Sequence, residues 1–217
     1  MKEKTEIFAI IAELKALYPE PKCSLPFDPE KPHELLFAVR LAAQCTDARV
    51  NLVTPVLYQR FPTLQALAAA DEEEVGEIIH STGFWRAKAR DMVAASRMIL
   101  AEFDGNVPDR MEDLLRLPGV GRKTANLILG DVFGKEGYVC DTHCMRITGL
   151  LGITDGSKDP LKVEQQLRNC IPPEESNDFC HRMVLHGRAV CVARRPDCVH
   201  CTLRPLCDHG GAAEKKE

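Results

Sequence analysis

Apolar residues in this 217-residue chain recur at intervals of three and four almost from end to end. In Arg90–Phe103, Met92, Val93, Ser96, Ile99, Leu100 and Phe103 share one face of a helix. Gly105, Asn106 and Pro108 then end it. Glu6–Leu17, Glu34–Gln44 and Val163–Cys170 read the same way. Alternating Val-rich runs and Asn-Gly hairpin signals, the marks of strands, are missing. The chain is therefore predicted to be all-α, with about ten helices separated by Gly and Pro punctuation. The turns fall at Phe61-Pro62, Thr82-Gly83, Pro118-Gly119, Gly134-Lys135, Asp155-Gly156 and Pro172-Pro173. Pro19–Pro32 holds five prolines in fourteen residues and reads as a connector. Gly210–Glu217 reads as a frayed tail.

Apolar residues make up 45 % of the chain and charged residues 28 %, enough to bury a core and too much order to leave the chain disordered. No apolar run approaches the ~18 residues of a membrane span. Met1–Glu6 alternates charges rather than opening a secretory signal. These features predict a cytoplasmic protein without a membrane partner. A net charge of −4 excludes a protein that coats nucleic acid by bulk charge, so any DNA contact must come from local patches.

Ten cysteines are many for such a chain, and a reducing compartment would keep them as thiols. Cys191, Cys198, Cys201 and Cys207 stand apart because four thiolates within seventeen residues can converge on one centre. Zinc and an iron–sulfur cluster both accept such a set. Only Cys198–Cys201 forms a Cys-x₂-Cys knuckle, which leans toward the cluster and leaves zinc open. From His181 to Cys207 there are five arginines and one acid. Arg194 and Arg195 occupy the loop between the first two cysteines and read as phosphate contacts. The other six cysteines, Cys23, Cys45, Cys140, Cys144, Cys170 and Cys180, read as small buried apolar residues.

A second motif is Leu117-Pro118-Gly119-Val120-Gly121-Arg122-Lys123-Thr124-Ala125. Gly119 and Gly121 permit a tight turn with exposed backbone N–H groups, and a helix begins near Gly121. Its positive end is an anion site suited to a phosphate, with Arg122 beside it. The spacing does not match a Walker loop. Lys123 sits in the first helical turn, where a cation is disfavoured. The helix end, Arg122 and partial burial are each expected to favour the neutral amine that a lysine nucleophile needs. Eighteen residues downstream, Asp141 precedes a helical stretch, Thr142–Leu150, and reads as an N-cap held ionised by backbone N–H groups. His143 reads equally as a structural histidine or a DNA contact.

These motifs together resemble the endonuclease III family of DNA glycosylases, within the helix–hairpin–helix superfamily. The resemblance is carried by Leu117–Ala125, Val139–His143, the Cys-x₆-Cys-x₂-Cys-x₅-Cys loop, Leu41–Asp47 and His186–Ala189. It runs from about Ala9 to Cys207. It implies a two-lobed fold: a six-helix barrel with the helix–hairpin–helix over 23–135, and a 4Fe–4S domain built from 1–22 and 136–217. It also implies a monomer acting on double-stranded DNA that contains a damaged base or abasic site. Lys123 would be the nucleophile and Asp141 the stabilising carboxylate, in a cleft between the lobes. The base would be an oxidised or saturated pyrimidine, flipped from the stack. Gln44 would fill the hole it leaves, and Phe84 would stand where a strand-opening wedge is expected. Three positions depart from the family pattern: Ala42 replaces a serine, Leu115 a common glutamate and Phe84 a frequent leucine. They bear on lesion preference. A diverged member with another lesion preference, or mainly abasic-site lyase activity, is an alternative, as is a non-catalytic DNA-binding iron–sulfur module.

Overall fold

A computed structural model describes residues 2–213 of the chain. Among them there is no strand, and the regular structure is twelve α-helices with three short 3₁₀ turns. The chain divides into two compact units, Cys23–Gly134 and Met1–Lys22 with Lys135–Glu217. No helix is long and apolar enough to cross a membrane.

The central unit contains α2 (Pro32–Ala42), α3 (Asp47–Arg60), α4 (Leu64–Ala69), α5 (Glu72–Ile79), α6 (Trp85–Glu102), the single turn α7 (Met111–Leu114) and α8 (Arg122–Asp131). α2 opens with Pro32, whose fixed φ suits a first helical position. Its buried side is Leu35, Leu36, Phe37, Ala38 and Leu41. Local chemistry sets the starts of the next three helices. Thr46, Thr63 and Asp71 each accept a hydrogen bond from a first-turn N–H of α3, α4 and α5. Glu72, Glu73 and Glu74 add favourable charge at the positive end of α5.

α6 starts five residues earlier than its periodicity predicts. Its N-cap, Phe84, makes no side-chain cap bond and lies in the left-handed region at φ 48°, so no capping residue announces the start. The buried stripe is also shifted. Lys88 and Ala89 join Met92, Val93, Ser96 and Ile99, while Leu100 and Phe103 are only half-buried. Ser96 is tolerated in the core because its hydroxyl donates to the Met92 carbonyl at 2.8 Å.

The second unit holds α1 (Lys4–Leu17), α9 (Thr142–Leu151), α10 (Pro160–Cys170), α11 (Ser176–Ala189) and α12 (Asp208–Ala213). α1 buries Ile7, Ile10, Ile11 and Leu14 and packs against α11. Arg182 of α11, almost fully buried, donates from Nε to the Tyr18 carbonyl at 3.0 Å. Tyr138, also buried, donates its hydroxyl to the Ile171 carbonyl at 2.9 Å. α12 occupies the start of the stretch expected to fray, and residues 214–217 lie outside the described part. All ten cysteines are free thiols. Of the six read as buried, Cys140, Cys144 and Cys180 are so, whereas Cys23, Cys45 and Cys170 are only half-buried.

Candidate active site

The glycine motif forms a hairpin between α7 and α8. Leu114 and Leu117 are buried on one side and Ala125 and Ile128 on the other, so two apolar anchors pin the turn to the core. Val120 N–H closes it onto the Leu117 carbonyl at 3.1 Å. Gly119 has φ +76°, a conformation that a side chain resists. Below it lies an ion pair, with Arg40 donating from Nε and Nη2 to Asp91 Oδ2 at 3.0 and 2.7 Å. A methyl at Gly119 would fall 2.7 Å from Arg40 Nε and 2.8 Å from Asp91 Oδ2.

Gly121 serves a different purpose. Its backbone is extended, and nothing lies within 4 Å of where a Cβ would stand. It is the N-cap of α8 and offers no side chain to the first-turn N–H groups. That leaves the positive helix end open to an outside anion. Arg122 and Lys123 follow in the first turn, both exposed. The partial burial expected of Lys123 is therefore absent. The helix turns its apolar side inward from Ala125 onward, so position 123 faces out.

Two further sites on the central unit share an unusual backbone. Gln44 (φ 56°) and Phe84 (φ 48°) are both exposed and left-handed, and Asp104 is the one other such non-glycine residue among those described. Backbone in this region costs energy and persists only where the surroundings enforce it. Phe84 is 68 % exposed, whereas its neighbour Trp85 packs over Gly76 and the His80 ring. The adjacent aromatics thus differ, Phe84 standing in solvent and Trp85 half-buried between His80 and Arg86. Leu115 is also exposed and Ala42 half-buried.

On the second unit, Asp141 caps α9, its Oδ1 accepting from Cys144 N–H at 2.7 Å. Buried Tyr138, Val139 and Cys140 fix the approach to it. The thiols of Cys140 and Cys180 hydrogen-bond that of Cys144, which with burial pushes the Cys144 thiol well up. Cys144 is therefore an uncharged core residue beneath the capping carboxylate. His143 lies against Gly187 of α11, where a Cβ would come within 2.3 Å of its Nδ1. The same nitrogen is 3.4 Å from Arg146 Nη2. Arg146 in turn donates to the Cys191 carbonyl at 2.6 Å and so ties α9 to the cysteine loop.

The four loop cysteines line one small pocket, together with apolar side chains such as Ile147, Leu151 and Leu203. Burial pushes the Cys191 thiol up, Arg146 opposes this, and Cys201, Cys207 and Cys198 add to the rise. Cys201 is raised by burial too, with the Leu203 N–H opposing. Four mutually repelling sulfurs around an apolar cavity fit a thiolate-bound inorganic centre, whose positive charge would reverse their preference. Among the described residues, no three His, Cys, Asp or Glu side chains converge closely enough to hold a single metal ion. Arg194 and Arg195 are exposed on the loop, which is closed by Asp197 N–H donating to the Val190 carbonyl at 3.0 Å.

Arg40, Lys88, Asp91 and Arg146 hold these sites in place and carry no sequence signal of their own. Each reads as an ordinary charge on an amphipathic helix, and only its partner distinguishes it.

Residues 37–173 match the family model of the HhH-GPD superfamily base excision DNA repair proteins. The endonuclease III of Synechocystis is 50 % identical over 210 residues, covering 96 % of this chain and 93 % of the relative. That of Bacillus subtilis is 38 % identical over 200 residues, covering 92 % and 90 %. A solved structure of endonuclease III trapped as a covalent intermediate with DNA superposes with a TM-score of 0.91 at 38 % identity, covering 99 % of this chain and all of the other. The all-α fold, the glycine hairpin and these likenesses agree: the chain belongs to the HhH-GPD superfamily of base excision DNA repair proteins, in its endonuclease III family.

Proposed function

We infer that this chain, a base excision repair DNA glycosylase and abasic-site lyase by family, removes oxidised or saturated pyrimidines of the thymine glycol type from double-stranded DNA. The observation that carries the reading is Lys123 itself. It is exposed in the first turn of a helix with no side-chain cap, directly after a glycine turn. Backbone N–H groups that lack a cap suit a DNA phosphate, with Arg122 adding charge-assisted contacts.

The proposed chemistry needs one amine and one carboxylate. Lys123 Nζ attacks the sugar C1′ and passes a proton to Asp141. The glycosidic bond breaks, and the base leaves with its electron pair and takes up a proton. Asp141, fixed in place by its bond to the Cys144 N–H, stabilises the positive charge that develops on the sugar as the base departs. The C1′–O4′ bond then breaks, O4′ leaving with the electron pair and taking the proton held by Asp141, and the Schiff base so formed between Lys123 and C1′ in the opened sugar acidifies the C2′ proton. Loss of that proton expels the 3′ phosphate oxygen and cuts the strand by β-elimination. Saturated pyrimidines stack poorly, so flipping one out costs less than flipping an intact base. In this reading Gln44 fills the vacated space and Phe84 wedges into the stack, where an aromatic ring gains ~1–3 kcal/mol. Their exposure and enforced backbone support those roles.

Cys191, Cys198, Cys201 and Cys207 would hold a 4Fe–4S cluster. When bound, it crosslinks the loop, so that Arg194 and Arg195 meet the DNA backbone on a rigid support. His143, backed by Gly187, is assigned to the DNA side of the same unit. The protein works as a monomer in the cytoplasm, at the bacterial chromosome.

A borohydride trap tests the reading, using duplexes that carry thymine glycol or an abasic site. A covalent complex on both, lost in Lys123→Ala, is expected. A complex on the abasic duplex alone would overturn the substrate assignment. No complex on either, from folded protein, would overturn Lys123 as nucleophile and favour a binding module.

A further inference from the structure

Lys88 is almost fully buried, 1 % exposed, whereas the other described lysines reach water more freely. Its Nζ bonds to backbone rather than to a carboxylate, donating to the Leu41 and Thr82 carbonyls, both at 2.8 Å. Leu41 is in the last turn of α2, and Thr82 ends the 3₁₀ turn His80–Thr82. One ammonium thus caps the negative ends of two helical elements. The Lys88 backbone contributes as well, its N–H donating to the Phe84 carbonyl at 3.1 Å.

Both capped ends lead directly into the exposed loops. Three residues after Leu41 the chain reaches Gln44, and two after Thr82 it reaches Phe84. These are the two exposed, left-handed residues that the proposed function inserts into DNA. Burying an ammonium is costly, and burial pulls Lys88 below the ordinary lysine value. An aliphatic residue would fill the space without that cost. A charge kept there serves its directional bonds, and both bonds end on the loops that present Gln44 and Phe84.

We propose that Lys88 is a positioning residue for base flipping, holding the Gln44 and Phe84 loops at a set spacing so that both side chains enter the duplex together. The proposal rests on the insertion roles assigned above. It makes Lys88 act through Gln44 and Phe84, and not through Lys123.

The test is a mutant cycle with two substrates. Lys88→Met keeps the stem and removes the donors. Its single-turnover excision of thymine glycol from duplex DNA is expected to fall at least about tenfold. Its cleavage of a single-stranded abasic oligonucleotide, which needs no flipping, should stay within about twofold of the parent. In a Gln44→Ala, Phe84→Ala background, adding Lys88→Met should cost less than about twofold more, because the residues act as one unit. A merely structural role would lower both activities together and add to the double variant, and either result overturns the proposal. Excision at the parental rate by Gln44→Ala, Phe84→Ala would overturn the insertion reading and this inference with it. A loss there, with Lys88→Met at the parental rate, overturns this inference alone. If Lys88→Met does not fold, Lys88→Gln, with a shorter stem and two donors, should show the same split between substrates, and equal losses on both would refute it.

Discussion

The hairpin glycines differ in what they do, and one pair of substitutions separates the two roles. Gly119→Ala forces a methyl into a left-handed position, at about 1–2 kcal/mol. It also drives that methyl to 2.7–2.9 Å from Arg40 and Asp91 atoms, so the ion pair must shift. Overpacking of this kind costs about 1–3 kcal/mol, and the partners are side chains that give part of the way. The expected loss is about 2–4 kcal/mol, or a fall of about 1–2 M in the urea midpoint. Gly121→Ala meets no atom within 4 Å and keeps an allowed backbone. The poorer cap and the stiffer unfolded chain offset each other, leaving stability within about 1 kcal/mol. Its methyl would, however, stand where a phosphate approaches the open N–H groups of α8. Affinity for a duplex with an uncleavable abasic analogue, read by fluorescence anisotropy at fixed salt, should drop about tenfold. Parental stability in Gly119→Ala would refute the brace beneath the turn. Parental affinity in Gly121→Ala would refute phosphate binding at this hairpin.

Asp141→Asn should preserve stability within about 1 kcal/mol, because Asn caps a helix as well as Asp, while trapping and strand cleavage fall at least about a hundredfold. Chemical denaturation beside the borohydride trap separates the two effects. The protein prepared without oxygen should be yellow-brown, and serine at Cys191, Cys198, Cys201 or Cys207 should bleach it, whereas Cys170→Ser should keep the colour. A colourless parent containing one zinc per chain would refute the cluster. Burial lowers the affinity of His33 for a proton below its ordinary value of 6.5, with Glu34 opposing and Lys31 adding to the effect. The unfolded chain then takes that proton first, so the His33 contribution is complete above about pH 6.5 and lost as pH falls below it. His33→Gln should flatten that part of the pH–stability curve, and an unchanged slope would refute the assignment.

Much of this molecule was legible in the chain because its signals are local. Helical periodicity follows from side chains three and four residues apart, and a cap such as Asp141 acts within one turn. The Gly119–Lys123 motif and the four spaced cysteines are likewise contiguous, so their chemistry is readable before any folding is known. The start of α6 was not, because Phe84 is its N-cap in a left-handed conformation and makes no side-chain cap bond, so no residue preference announces it. The exposure of Lys123 and the division of Phe84 from Trp85 depended on which way each helix face turned. The positions of Arg40, Lys88, Asp91 and Arg146 came from long-range packing alone. A charged residue on an amphipathic helix is ordinarily solvated, and its burial depends on an acceptor far away in sequence. Arg40 and Asp91 meet across 51 residues, and Lys88 reaches Leu41 across 47. The order of residues was enough to nominate candidates for the chemistry, since candidacy depends on residue type and near neighbours. Their supports depend on distant partners, because packing brings together groups that no local pattern links.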